Sequence, residues 1–242
     1  MEWANKLVVT KNTEIMKKTV LLFCLIALIG CSSDDDQNSS QQSNRLLTDM
    51  IVTNDGNADT FHFEYDSNKN ITAILKNGNL EFAYTYKGNI IESVRTDVSA
   101  DDTTTFLYSD GKLTGYSREG EFHPIEYDAQ NNKYIFTEDD YEVTMNDRDI
   151  SSIMLFENLY FSMDYNSASK GPLFNVRTEN VFLLTLFSDV YAFLSVRPST
   201  GFVYNQSTFS CENTYDGDNY LTKMILRSDE EEQTIQYIYE EL

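Results

Sequence analysis

The residues of this chain whose type and spacing could do chemistry are its thiols, its clustered carboxylates, its histidines and its tyrosines. Cys31 follows an apolar run and a small residue, Gly30, and precedes Ser32, Ser33, Asp34, Asp35 and Asp36. A thiol at that junction is placed for covalent modification where an export signal ends. Cys24 falls inside the apolar run, so Cys211 stands alone downstream and has no disulfide partner. No base lies near it in sequence, since His62 and His123 are remote, and a buried structural thiol is expected rather than a nucleophile. Asp216, Asp218 and Asn219, and separately Glu138, Asp139 and Asp140, offer the oxygen donors calcium prefers. Neither set has the distal bidentate glutamate of a full calcium loop, and Asp-Gly is also a favoured hairpin turn, so the expectation is no metal and no cofactor beyond a covalent lipid. Two histidines at this spacing do not make a zinc set. No phosphate loop, dinucleotide fingerprint or Gly-x-Ser-x-Gly elbow occurs. A pair of carboxylates for glycoside hydrolysis is defined by separation in space and cannot be chosen from sequence. The 16 tyrosines could form a stacking platform for sugars or peptides, but cross-strand packing uses them more naturally.

The elements around Cys31 set its role. Lys17 and Lys18 begin a signal whose apolar part, 20–29, is shorter than the ~20 residues a spanning helix needs. Leu28, Ile29, Gly30 and Cys31 resemble the lipobox of bacterial lipoproteins. That resemblance implies cleavage between Gly30 and Cys31 and lipidation of Cys31 by diacylglycerol and palmitate. Two or more acyl chains make a stable anchor, each buried methylene contributing ~0.8 kcal/mol. The polar stretch before the signal carries Glu2 and Glu14, so Met16 reads as the true start. The organisation is therefore an extension and signal peptide (1–30), a lipidated cysteine with a flexible acidic tether (31–44), and a single domain (45–242). Ser33, Asp34, Asp35 and Asp36 resemble the surface-export signal of Bacteroidota lipoproteins. This implies an outer-membrane protein facing the cell surface; a merely acidic linker would leave it on the periplasmic face. Residues 1–30 hold four basic and two acidic side chains, so from the 18 and 39 of the whole chain 14 basic and 37 acidic remain, a net charge of −23. Such a field repels phosphate-rich partners and argues against nucleic acid.

From Leu46 onward apolar and polar residues alternate. Phe61, Phe63 and Tyr65, then Phe82, Tyr84 and Tyr86, and later Ile235, Tyr237 and Tyr239 sit two apart, which places each set on one face of a strand. Asp55-Gly56, Asn77-Gly78, Lys87-Gly88, Asp110-Gly111 and Asp216-Gly217 supply hairpin turns between them. The hairpins echo one another in units of about 20 residues: an aromatic closes one strand, a polar turn follows, and an aliphatic pair opens the next.

The stretch 214–240 (TYDGDNYLTKMILRSDEEEQTIQYIYE) and 61–75 (FHFEYDSNKNITAIL) resemble Bacteroidota lipoproteins of unknown function built from Tyr-Asp (YD-like) β-hairpin repeats. The likeness extends through Tyr165, Asn166, Lys170 and Gly171, and it implies architecture without assigning any catalytic residue. One segment breaks the alternation. In about 179–195, Val181, Leu184, Phe187, Tyr191 and Leu194 recur at three to four residues, which predicts a helix that is apolar nearly all round. The expected fold is mainly β: antiparallel hairpin repeats forming a curved or half-barrel sheet around that one buried helix. The expected function is that of a non-catalytic, lipid-anchored envelope protein binding an outer-membrane protein or polysaccharide. A carrier of a hydrophobic ligand between sheet and helix and a hydrolase using surface carboxylates are the alternatives.

Overall fold

The structure is a computed structural model and describes residues 44–96, 103–186, 193–229 and 231–241. Among the described residues, sixteen strands follow one another. They are β1 (Arg45–Asn54), β2 (Asn57–Tyr65), β3 (Ile71–Lys76), β4 (Asn79–Lys87), β5 (Ile90–Thr96), β6 (Thr103–Ser109), β7 (Lys112–Arg118) and β8 (Glu121–Asp128). They continue as β9 (Lys133–Phe136), β10 (Tyr141–Asn146), β11 (Asp149–Leu155), β12 (Asn158–Tyr165), β13 (Ser199–Tyr204), β14 (Ser207–Tyr215), β15 (Leu221–Arg227) and β16 (Glu232–Glu241). Each strand pairs antiparallel with its neighbours in sequence, and β1 pairs with β16 from Arg45↔Glu241 to Asn54↔Gln233. The sheet is a closed barrel.

Alternation makes the wall. In β2, Phe61 and Phe63 are buried while His62 and Glu64 are exposed; in β16, Ile235 and Tyr237 are buried while Gln236 and Ile238 are exposed. Several connections at the end remote from Arg45 are two-residue turns with both central residues at positive φ, such as Asp55 (49°) with Gly56 (80°) and Asn77 (52°) with Gly78 (81°). This type I′ geometry matches the strand twist, and glycine enters it without steric cost.

At the Arg45 end two devices recur. An aspartate closes the longer turns: Asp66 Oδ1 accepts the amides of Asn68 and Asn70, each at 2.9 Å, and Asp216 Oδ1 those of Asp218 and Tyr220, each at 3.0 Å. A tyrosine hydroxyl donates across the sheet to a carbonyl: Tyr65 to Leu47 (2.7 Å), Tyr86 to Ile71 (2.7 Å), Tyr108 to Ile91 (2.8 Å), Tyr165 to Ile150 (2.5 Å) and Tyr239 to Leu221 (2.7 Å). Every acceptor residue lies beside an irregularity in strand register. A bulge withdraws a carbonyl from the ladder, and the phenol supplies the missing donor. These tyrosines are structural.

A barrel of this strand number ordinarily encloses a channel. Here the interior is filled. Side chains of the strands, including Leu46, Met50, Ile71, Ile91, Leu113, Val143 and Phe161, meet Leu173, Val176, Val181, Phe182, Leu183, Leu184 and Leu194 from the connection 166–198 between β12 and β13. Only glycine fits at Gly171, where a Cβ would lie 2.5 Å from the Ser195 carbonyl oxygen.

Two expectations are corrected. The sheet is not a curved or half-barrel layer, because β1 and β16 seal it. The helix expected over about 179–195 is a single turn, α1 (Leu183–Leu186), with non-helical turns before it and no helix from Phe193 onward; residues 187–192 lie outside the described residues. The described part of the segment buries Val181, Phe182, Leu183, Leu184 and Leu194 and leaves Glu179 exposed, without following a helical period. Its backbone groups bond to the barrel instead: Tyr84 Oη donates to Leu184 O (3.0 Å), Tyr237 Oη to Phe193 O (3.0 Å), and the Glu179 amide to Asn89 O (2.9 Å).

Candidate functional site

The residues marked by sequence fall in different places. Gly30, Cys31, Ser33, Asp34, Asp35 and Asp36 lie outside the described residues. Asp216, Asp218 and Asn219 share one turn at the Arg45 end. Asp216 Oδ1 holds that turn, and its Oδ2 accepts from Arg45 Nη2 at 2.6 Å, with Asp218 Oδ2 at 3.4 Å from the same nitrogen. Asn219 Nδ2 donates to Ala168 O at 2.6 Å and its Oδ1 accepts from Ser169. The guanidinium thus takes the position of a counter-cation, and against the cost of partial burial it and the turn amides hold the Asp216 carboxyl below its usual range. Arg45 also lies 4.5 Å from the Tyr220 ring, which Lys170 approaches to 4.4 Å. Among the described residues, no three His, Cys, Asp or Glu converge as a metal set. Cys211 is half-buried 3.7 Å from Ser199 Oγ, and burial pushes its thiol up.

His62 and His123 are far apart. His62 Nδ1 meets Asp49 at 2.9 Å on the exposed wall. His123 stacks on Tyr116 (4.6 Å between ring centres, 9° between planes), and its Nδ1 lies 2.9 Å from Glu138 without an aligned hydrogen bond. Tyr116 donates to Asp139 at 2.8 Å. Glu138 and Asp139 are therefore engaged with neighbouring strands.

Sequence reasoning did not single out Arg148, Asp149 and Arg197, the polar clamp on the connection 166–198. Buried Asp149 accepts from the Val196 amide (2.6 Å) and from Arg197 Nε (2.8 Å), while Arg148 Nη2 donates to Val176 O (2.6 Å) and Thr178 O (3.1 Å). Burial raises the Asp149 carboxyl above its ordinary range, opposed by Arg197 and the two backbone amides. No local pattern announces a pair 48 residues apart. Asp149, Phe161, Tyr165, Leu173 and Phe182 line a cavity beside the clamp with room of about 10 Å³, roughly that of one water molecule.

The wall decides what the barrel can do in a membrane. A transmembrane barrel needs an outward apolar band about 25 Å tall and strands of about 9–11 residues, with polar groups turned inward. Here the distribution is reversed. Exposed positions include His62, Glu64, Thr85, Thr105, Glu126, Glu212, Thr214, Gln236 and Glu240 with Leu107, Phe122 and Ile238, and the buried interior is mainly apolar and aromatic, with Asn70, Asp149 and Thr178 among its polar exceptions. Several strands have only six or seven residues and β9 has four. A charged side chain on the lipid face near mid-membrane costs about 2–4 kcal/mol for a cation and somewhat less for a carboxylate, so this wall is built for water.

The chain matches no protein-family model and no curated protein. Among solved structures it is similar to a porin-like protein from Bacteroides uniformis at 12% identity and a TM-score of 0.46, over 80% of this chain and 98% of the other. It is likewise similar to a porin-like protein from Bacteroides vulgatus at 12% identity and a TM-score of 0.48, over 81% and 99%. Likenesses this distant transfer no function.

Proposed function

We propose that this chain is a non-catalytic, lipid-anchored protein of the bacterial outer membrane, whose filled barrel stands in water on its tether and binds a protein or polymer partner. The observation that carries this reading is the reversed wall: with polar residues outside and a packed apolar interior, the barrel neither spans lipid nor conducts, so attachment rests on Cys31. The residues Leu28, Ile29, Gly30 and Cys31 supply the attachment, and the tether 31–44 joins the barrel at the start of β1. Ser33, Asp34, Asp35 and Asp36 support display at the cell surface. The tight packing around the clamp favours a binding surface over an enclosed greasy ligand.

The test is membrane fractionation of full-length protein with Cys31→Ser. The variant is expected to move wholly to the aqueous fraction, folded. Retention in membranes after carbonate washing would overturn the reading and point to an inserted barrel.

A further inference from the structure

Across β4 to β8 the outer wall carries one continuous row of hydroxyls that ends at an aromatic ring. Directly paired residues of an antiparallel ladder share a face. Thr85 pairs with Ser93, Ser93 with Thr105, Thr105 with Ser117, and Ser117 with Phe122. Tyr84, Phe106 and Tyr116, their neighbours along the strands, are buried in the core, so the row lies outside. At about 4.8 Å per strand it runs about 19 Å around the wall. Thr85 Oγ1 and Ser93 Oγ are hydrogen-bonded at 2.8 Å. None of the five side chains is charged, although the chain carries a net −21; Glu92, Arg95 and Glu126 flank the row.

At its end Phe122 lies on Gly115. A Cβ at Gly115 would stand 2.7 Å from the ring carbon Cζ, so only glycine lets the ring settle there. The ring covers Gly115, which is buried although it belongs to the outer face, and Phe122 itself remains 56% exposed. Gly115 also pairs with Leu107, 41% exposed, and with Pro124, so an aliphatic side chain stands beside the ring. Glycine inside a strand weakens it and often marks a place of close approach. Here it seats an aromatic surface that stays open to water.

Size and charge select the occupant. The apolar part is Phe122, Leu107 and Pro124, far short of the ~800 Å² per partner that a stable protein interface buries, so neither a second copy nor a folded protein fits it. The acidic chain repels polymers bearing carboxylate, sulfate or phosphate groups. A neutral sugar chain matches what remains: the slightly positive C–H edge of a pyranose meets the negative face of the ring, and its hydroxyls exchange hydrogen bonds with Ser117 and Thr105.

We propose that Phe122 on Gly115, with Leu107 and the hydroxyls of Ser117, Thr105, Ser93 and Thr85, forms a binding strip for a neutral polysaccharide. This rests on the reading that the chain is a binding protein, and it names the surface and the polymer's chemistry. The test is affinity electrophoresis of the full-length lipidated protein in a sugar-free detergent, through native gels containing dextran, soluble starch, laminarin or galactomannan. At least one polymer is expected to retard the protein, and mobility against polymer concentration gives Kd. Phe122→Leu still covers Gly115 but has no aromatic face, and it is expected to raise that Kd about tenfold or more. Thr105→Val with Ser117→Ala is expected to raise it about fivefold. Phe122→Trp, which keeps an aromatic face, and Leu159→Ala, an exposed apolar residue of β12, are each expected to shift it less than about twofold. Equal melting temperatures establish that lost retardation is not lost folding. Free migration in all four gels, wild-type Kd in Phe122→Leu, or retardation confined to gels of polygalacturonate or heparin would overturn the proposal. So would a dimer in sedimentation that Phe122→Leu dissociates, since the strip would then be an interface between copies. The Cys31→Ser fractionation does not depend on sugar binding, so failure of anchoring and failure of this site are separable.

Discussion

The two ends of the barrel solve the same problem, reversing a strand, by different means. At the Arg45 end the turns are cross-linked by side chains: Asp66 and Asp216 collect amides, five phenols cap carbonyls beside bulges, and Asp149 with Arg197 clamps the inserted connection. The opposite end holds most, though not all, of the two-residue turns, and at Phe156-Glu157 it keeps two non-glycine residues at positive φ. Side-chain cross-links are thus richest at the Arg45 end, and the bulkiest residue at positive φ sits at the other. A bulky side chain in that conformation is strained, and it persists only where the surroundings over-determine it.

The largest expected effect comes from raising pH. Burial pushes the phenols of Tyr65, Tyr86, Tyr108, Tyr165 and Tyr239 above their ordinary value of 10, and that of Tyr134 up to about 12. With folded-state values raised, their stabilisation is complete below the unfolded value of 10 and is lost as pH climbs through the folded values. Tyrosinate absorbance and loss of β-sheet circular dichroism are expected to appear together in one late alkaline step. A gradual tyrosinate rise with intact dichroism would show that the Arg45 end is not the tight one.

Next in size, Asp149→Ala is expected to lower unfolding free energy in urea by about 1–3 kcal/mol, because it removes the acceptor of the Val196 amide and of Arg197 Nε. The exposed bridges of Arg227 to Glu212 and Glu232 provide the contrast, and Arg227→Ala is expected to leave the urea midpoint unchanged. A similar loss from both would erase the distinction between the ends. The smallest effect has the opposite sign. Phe156→Asn with Glu157→Gly gives the tip the turn chemistry of its neighbours and is expected to stabilise by about 1–2 kcal/mol, read by the same urea titration. A neutral result would mean that the strain is already relieved in place.

Much of the wall could be read locally. Phe61, Phe63 and Tyr65 declare their face by spacing, and Asp55-Gly56 declares its turn, since both signals are confined to a few residues. The aromatic that closes many strands was visible as a pattern, but its purpose, a phenol reaching a carbonyl 15 to 18 residues back, needs the bulge that only the paired strands reveal. Phe156-Glu157 escaped notice because it carries neither glycine nor asparagine, although two residues between alternating runs is a hairpin by count. The periodicity of Val181, Leu184 and Leu194 correctly marked burial but not conformation, since bonds from the barrel, such as Tyr84 Oη to the Leu184 carbonyl, meet backbone groups that a longer helix would have paired internally. Closure was out of reach, for nothing near Arg45 names Glu241 as its neighbour.

That closing seam bears on how the molecule comes to exist. Its first strand waits with an open edge until the last arrives, almost two hundred residues later, and contacts so remote in sequence slow folding. A chain losing β16 would bare two unpaired edges at once, each a template for another chain. Arrival of β16 is thus the event that turns an adhesive ribbon into a self-contained cylinder.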